Sequence, residues 1–223
     1  MNLILSIETS SGNCSVALHN DEGLIAHYNV SEERSHSRVI TNLIEKLTRE
    51  NNFLLSQVDA IAISKGPGSY TGLRIGVSTA KGLCYALDKP LIAINTLQAM
   101  AFQIDKTLYK DYLLCPMIDA RRMEVYTAMF DSENNFVSET EARIINGESY
   151  DDILGRRKIL FFGDGSLKCK SLFARKENAV FLDNINPSAI AVGALALKSY
   201  KSGLFEDLAY FEPFYLKDFV SKN

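Results

Sequence analysis

Ile4-Leu5-Ser6-Ile7-Glu8-Thr9-Ser10-Ser11-Gly12-Asn13-Cys14-Ser15-Val16-Ala17-Leu18 decides the fold. Leu3–Ile7 is a short apolar run, Glu8 to Asn13 is a polar turn, and Cys14–Leu18 resumes the apolar pattern. A run of this length bounded by turn residues reads as a buried strand, and two in succession as a hairpin. A second turn at Asn20-Asp21-Glu22-Gly23 leads to Leu24–Val30, where apolar and polar residues alternate as in a third strand. Further on, Leu113–Ile118 ends on Asp119 much as the first strand ends on Glu8, and Glu124–Phe130 and Phe136–Ile145 follow as strands. The two carboxylates are 111 residues apart, half of the 223-residue chain. The sequence therefore reads as two copies of one α/β unit.

Each copy continues with helices between strands. In the first, Ser35 or Ser37 can cap a helix whose apolar stripe is Val39, Ile40, Leu43, Ile44 and Leu47, a 3.6-residue rhythm. A strand at Val58–Ser64, a helix from about Thr71 to Leu87 and a strand at Leu91–Ile94 follow. Asn95, with Gln98 three residues on, opens a helix expected to reach Lys106. The second copy is expected to add helices near Glu148–Leu154 and Ser166–Ala174, and strands at Ile159–Phe162 and Ala179–Leu182. Its last helix would be capped by Asn186, with Pro187 at the first position, and run to Tyr200. The expected lobes are 1–107 and 108–223, with the tail Phe211–Leu216 packing back on the body. Strands interleaved with helices imply sheets covered on at least one face.

Composition narrows the class. Apolar residues are 47% and charged residues 23%, enough for a large core and unlike a disordered chain. The net charge is −3, and residues 151–223 carry only two more basic than acidic groups, so the whole chain is no electrostatic nucleic-acid binder. The N-terminus lacks a basic leader and no uncharged stretch is long enough to span a bilayer, so a cytoplasmic, membrane-free protein is expected. Cys14, Cys84, Cys115 and Cys169 lie far apart within apolar runs and read as buried free thiols.

Three stretches can carry chemistry. Lys65-Gly66-Pro67-Gly68-Ser69-Tyr70-Thr71-Gly72-Leu73-Arg74-Ile75-Gly76 joins a strand to a helix, where backbone N–H groups can meet an anion. Its glycines do not fit GxGxxG, and Lys81-Gly82 reverses the Walker A order, so close packing competes with anion binding as its purpose. Gly72, Gly76 and Ala80 recur every four residues, leaving one helix face nearly bare beside the stripe Leu73, Val77, Ala80, Cys84 and Leu87. Glycine inside a helix costs about 1 kcal/mol relative to Ala, which implies that something approaches closely: the helix at 36–51, or a helix from a partner. The turns Glu8-Thr9-Ser10 and Asp119-Ala120-Arg121-Arg122 face each other in the duplicated scheme and could hold magnesium and phosphate. Equally, they can be turn residues bonding their own backbone. The three histidines, His19, His27 and His36, form no HxxxH or HExxH pattern.

Gly66-Pro67-Gly68-Ser69-Tyr70-Thr71-Gly72-Leu73-Arg74-Ile75-Gly76 resembles the GPGSFTGxRIG signature of the bacterial TsaB (YeaZ) family. Ile118-Asp119-Ala120-Arg121-Arg122-Met123-Glu124-Val125-Tyr126 is similar to its IDARxxEVY segment, and Ile4–Leu18 and Pro213-Phe214-Tyr215-Leu216 fit in the same order. The resemblance implies an actin-like, sugar-kinase/Hsp70-type fold of two ribonuclease-H-like βββαβαβα lobes. It implies a non-catalytic partner that binds and activates the paralogue TsaD in making N6-threonylcarbamoyladenosine at position 37 of tRNA. A TsaE-like ATPase would complete the assembly, and tRNA would be met only through the complex. An apolar, glycine-lined helix face is costly to leave in water, so the lone chain is expected to form a homodimer. No cofactor is then required by this chain, ATP/ADP and Mg belonging to the assembled complex, with at most a vestigial cofactor site at Glu8, Thr9, Ser10 and Asp119. The docking helices would present Val39, Ile40, Leu43, Leu47, Gly72, Leu73, Gly76, Ala80 and Leu83. The competing reading is a small-molecule kinase or ATPase of the same superfold. Two positions depart from the pattern: Glu8 stands where relatives often have Asp, and Lys217 replaces the usual Arg.

Overall fold

The computed structural model describes residues 2–31 and 36–217. β1 (Ile4–Glu8), β2 (Asn13–Asn20), β3 (Gly23–Ser31), β4 (Ala60–Gly66) and β5 (Leu91–Asn95) form a sheet of order β3-β2-β1-β4-β5. β6 (Leu113–Asp119), β7 (Glu124–Phe130), β8 (Phe136–Ile144), β9 (Ile159–Phe162) and β10 (Ala179–Leu182) form a second, of order β10-β9-β6-β7-β8. In each, the first three strands pair antiparallel and the last two join parallel on the other side of the first. The two orders are one pattern, so the duplication read from Glu8 and Asp119 is a duplication of sheet topology.

The chain divides into two compact units, Met1–Ala99 with Pro187–Tyr215, and Met100–Asn186 with Leu216–Asn223. In the first, Leu5, Ile7, Ile61 and Ile63 pack with Ile40, Leu43, Ile44 and Leu47 of α1 (His36–Glu50) and with Val77, Ala80 and Cys84 of α2 (Tyr70–Leu87). Alternation along β1 sends Ser6 the other way, toward α7 (Ala189–Lys201). Ser6 Oγ donates to Ala189 O at 2.8 Å, and Ala189 N–H donates to Ser15 Oγ at 3.0 Å. This overturns the expected boundary at 107/108. The last helix covers the first sheet because Ser6, Ser15 and His19 offer it a polar, small-residue seat that Gly193 fits.

Local signals fix several ends. Asn95 Oδ1 accepts Leu97 N–H at 2.9 Å and so caps α3 (Thr96–Ala101), as expected. That helix stops short of Lys106, and Asp105 instead accepts Thr107 N–H at 2.8 Å, a local turn that competes with helix. The cap of α7 is Ser188, whose side chain accepts Ile190 N–H, rather than Asn186. The expected cap Ser35 lies outside the described residues. In the second unit the helices are shorter than the periodicity suggests: α4 (Asp151–Leu154), α5 (Asp164–Leu167) and α6 (Lys170–Phe173). Phe161, Phe173 and Tyr150 fill that unit's core with Met117 and Val125. All four cysteines are free and buried. No helix among the described residues is long and apolar enough to cross a membrane.

Candidate functional site

In the first unit the glycine-rich stretch is a seat for the β1–β2 turn. Ser69 N–H donates to Ser10 O at 2.7 Å, and Ser69 caps α2 by accepting Gly72 N–H. Thr9 Oγ1 donates to Gly72 O at 2.8 Å. A Cβ at Gly68 would strike the Ser10 carbonyl, one at Gly72 the Thr9 carbonyl, and one at Gly76 the Thr9 hydroxyl. The glycines are therefore consumed by contact with the chain's own turn. Neither the helix at 36–51 nor a partner's helix fills that groove, which corrects the expectation for Gly72 and Gly76.

Phe211, Phe214 and Tyr215 of the tail meet the same loop and its helix. Phe214 N–H donates to Lys65 O at 2.7 Å, and Tyr215 lies 4.8 Å from Tyr70, ring to ring. Lys81 Nζ donates to Phe211 O at 3.0 Å. A Cβ on Gly66, whose φ is +115°, would stand 2.7 Å from Phe214 O.

Glu8, Thr9 and Ser10 are all buried. Glu8 Oε1 accepts Ser10 N–H at 2.5 Å, while Oε2 has no hydrogen-bond partner among the described residues. Burial raises this carboxyl above the ordinary range, outweighing the help of Ser10. A carboxylate that must hold magnesium needs open coordination positions and water around it. Glu8 is closed off by its own turn. Among the described residues, no three His, Cys, Asp or Glu side chains gather as a metal site.

Asp119 lies in the second unit, and its carboxylate is engaged. The Lys168 ammonium pairs with it and donates to Arg122 O at 2.7 Å and Glu124 O at 2.6 Å. Nothing local betrays its role, since its partners lie more than 40 residues away. Lys217, the departure from the family's Arg, pairs with Glu124.

The docking residues divide. Ile40, Leu43, Leu47, Gly72, Leu73, Gly76 and Ala80 are buried within the first unit, so they are core and not an exposed face. Val39 and Leu83 are only partly buried. The outer face of α2 belongs instead to Arg74, Ser78, Gly82, Tyr85 and Ala86, with Tyr85 85% exposed and no atom within 4 Å of where a Cβ on Gly82 would stand.

Residues 24–218 match the family model for TsaD, tRNA N6-adenosine threonylcarbamoyltransferase. The chain belongs to this family. Its similarity within the TsaD family runs to the TsaB/YeaZ group. It is 34% identical to the tRNA threonylcarbamoyladenosine biosynthesis protein TsaB of Bacillus subtilis over 61% of this chain and 58% of that one. The Haemophilus influenzae TsaB is 40% identical over 55% and 51%. These alignments span about half to three-fifths of the curated relatives' length. A Pseudomonas aeruginosa structure, an uncharacterized protein with similarity to peptidase YeaZ, superposes with a TM-score of 0.86 at 24% identity, covering 97% of this chain and 100% of that one. With the ethanolamine utilization protein EutJ of Carboxydothermus hydrogenoformans, covering 87% and 90%, the TM-score is 0.51 at 11% identity. The fold is α/β and actin-like.

Proposed function

We propose that this chain is a non-catalytic subunit that binds and activates a TsaD-type transferase in N6-threonylcarbamoyladenosine formation on tRNA. The observation that carries the reading is the use of the Glu8–Ser10 turn. Its carboxylate is desolvated, and its hydroxyl and carbonyls are packed into the glycine face of α2, so the turn serves the fold. Family membership supplies the pathway, and the names of the similar relatives agree with it. In this reading the chain needs no cofactor of its own, and magnesium and ATP belong to the assembled complex with its TsaE-like ATPase. It works in the cytoplasm and meets tRNA through the complex.

Docking is assigned to the outer face of α2, where Tyr85 stands beside the open position at Gly82, with Val39 and Leu83 at its margin. A large exposed aromatic next to bare backbone suits helix-on-helix contact, and the same face would pair two copies when the chain is alone. Ala80→Arg would be a poor probe, because Ala80 is buried and a charge there breaks the core. Gly82→Arg is the clean one. It should leave circular dichroism unchanged, while binding of the TsaD-type protein falls by about a hundredfold or more and tRNA modification in a reconstituted mixture is lost. Normal activation by a folded Gly82→Arg protein would refute this docking face. ATP turnover by the isolated chain, abolished by Asp119→Ala, would favour the kinase reading.

A further inference from the structure

The turn from Asp119 to Glu124 in the second unit is tied down at several of its backbone groups. Asp119 N–H donates to Asp164 Oδ1 at 3.0 Å, and Arg121 N–H donates to Asp119 Oδ1 at 3.0 Å. Ala120 N–H bonds Glu124 O, Glu124 N–H bonds Arg121 O, and Ile145 N–H bonds Met123 O at 2.7 Å. Lys168 closes the arrangement from inside, its ammonium held by the Asp119 carboxylate and the carbonyls of Arg122 and Glu124.

What this lock holds is unusual backbone. Arg121 and Arg122 have φ of +70° and +50°, two successive side-chain-bearing residues in the left-handed region. Such conformations persist where the surroundings over-determine them, and they gather at binding sites. Of the nearby acids, Asp119 pairs with Lys168, Glu124 pairs with Lys217, and Asp164 accepts Asp119 N–H. Both arginines are exposed and have no ion-pair partner among the described residues. Exposed apolar side chains lie on the segments that meet the turn: Met123 within it is 38% exposed, Ile144, register partner of Glu124, is 73% exposed, and Leu167, next to Lys168, is 57% exposed.

We propose that this turn is a second docking surface, separate from the α2 face, that takes a carboxylate-bearing apolar segment of a partner protein. With the backbone beneath them fixed, two adjacent arginines have only their side chains left to order when they clasp a carboxylate. Arg and Met are enriched in protein interfaces, and Ile144 and Leu167 offer nothing to a sugar–phosphate backbone. Protein is therefore favoured over RNA. The surface lies in the second unit and does not depend on the α2 assignment.

The test is fluorescence anisotropy on the full chain with three probes: a short peptide alternating Glu and Leu, its Lys/Leu counterpart, and a uridine oligonucleotide. The Glu/Leu peptide should bind, more weakly as salt is added. Arg121→Glu with Arg122→Glu should weaken it at least about tenfold and admit the Lys/Leu peptide instead. Lys168→Met, which unlocks the turn while leaving both arginines in place, should also weaken it. If the double reversal does not fold by circular dichroism, Arg121→Gln and Arg122→Gln carry the same readout. Preference for the oligonucleotide, no binding of the Glu/Leu peptide, or binding indifferent to these substitutions would overturn the proposal.

Discussion

Glycine 72 and glycine 82 sit on one helix, and alanine at each should move stability in opposite directions. At Gly72 the new methyl would run into the carbonyl of Thr9, a backbone atom that no side-chain rotation can move aside. Overpacking of this kind costs about 1–3 kcal/mol. The bond from Thr9 Oγ1 to Gly72 O would be strained or lost as well, worth about 1 kcal/mol. Against these stands about 1 kcal/mol of helix propensity gained on replacing glycine. The net is a loss of about 1–3 kcal/mol. At Gly82 nothing lies within 4 Å, so only the propensity term remains and stability should rise by up to about 1 kcal/mol. The chain has no tryptophan, so urea unfolding is best followed by far-ultraviolet circular dichroism. Gly72→Ala no less stable than the parent would show that the Thr9 turn is not seated on α2.

Burial holds the His19 imidazole down to about 4, so it stays neutral in the fold while the unfolded chain binds a proton near 6.5. Its contribution is full above about 6.5 and is lost as pH falls toward 4, a change of about 2–3 kcal/mol that His19→Gln should flatten in urea titrations across that range. Glu8 runs the other way: its raised carboxyl favours the fold at low pH and opposes it once ionised. Glu8→Gln should therefore stabilise the protein, more at pH 8 than at pH 5, and destabilisation at pH 8 would mean that the ionised carboxylate is needed there. The buried Cys115 thiol is pushed up to about 11, so a thiol reagent should leave it untouched until denaturant is added.

Strand positions were legible because burial on both faces writes continuous apolar runs, as in β1 and β9, and because the pattern occurs twice. The seat of α7 was not, since its partners Ser6 and Ser15 are more than 170 residues away and are small polar residues with no periodic signal. The glycine stripe correctly announced a close approach. A stripe, however, says nothing of what approaches, and here it is the threonine of a turn more than 60 residues upstream. Asp119 was found by its place in the repeat, whereas Lys168 was missed because its three oxygen partners come together only in the folded chain.

The unit holding the N-terminal sheet is closed by Pro187–Tyr215, so the other unit's main segment is spliced into it like a clause between commas. During synthesis the ribosome must deliver all of 100–186 before the strands bearing Ser6 and His19 receive their cover. The inserted segment is nearly continuous and can complete its sheet first, while the earlier strands wait with one face bare. A premature stop anywhere before residue 187 therefore damages the opposite end of the chain, exposing the first sheet to aggregation.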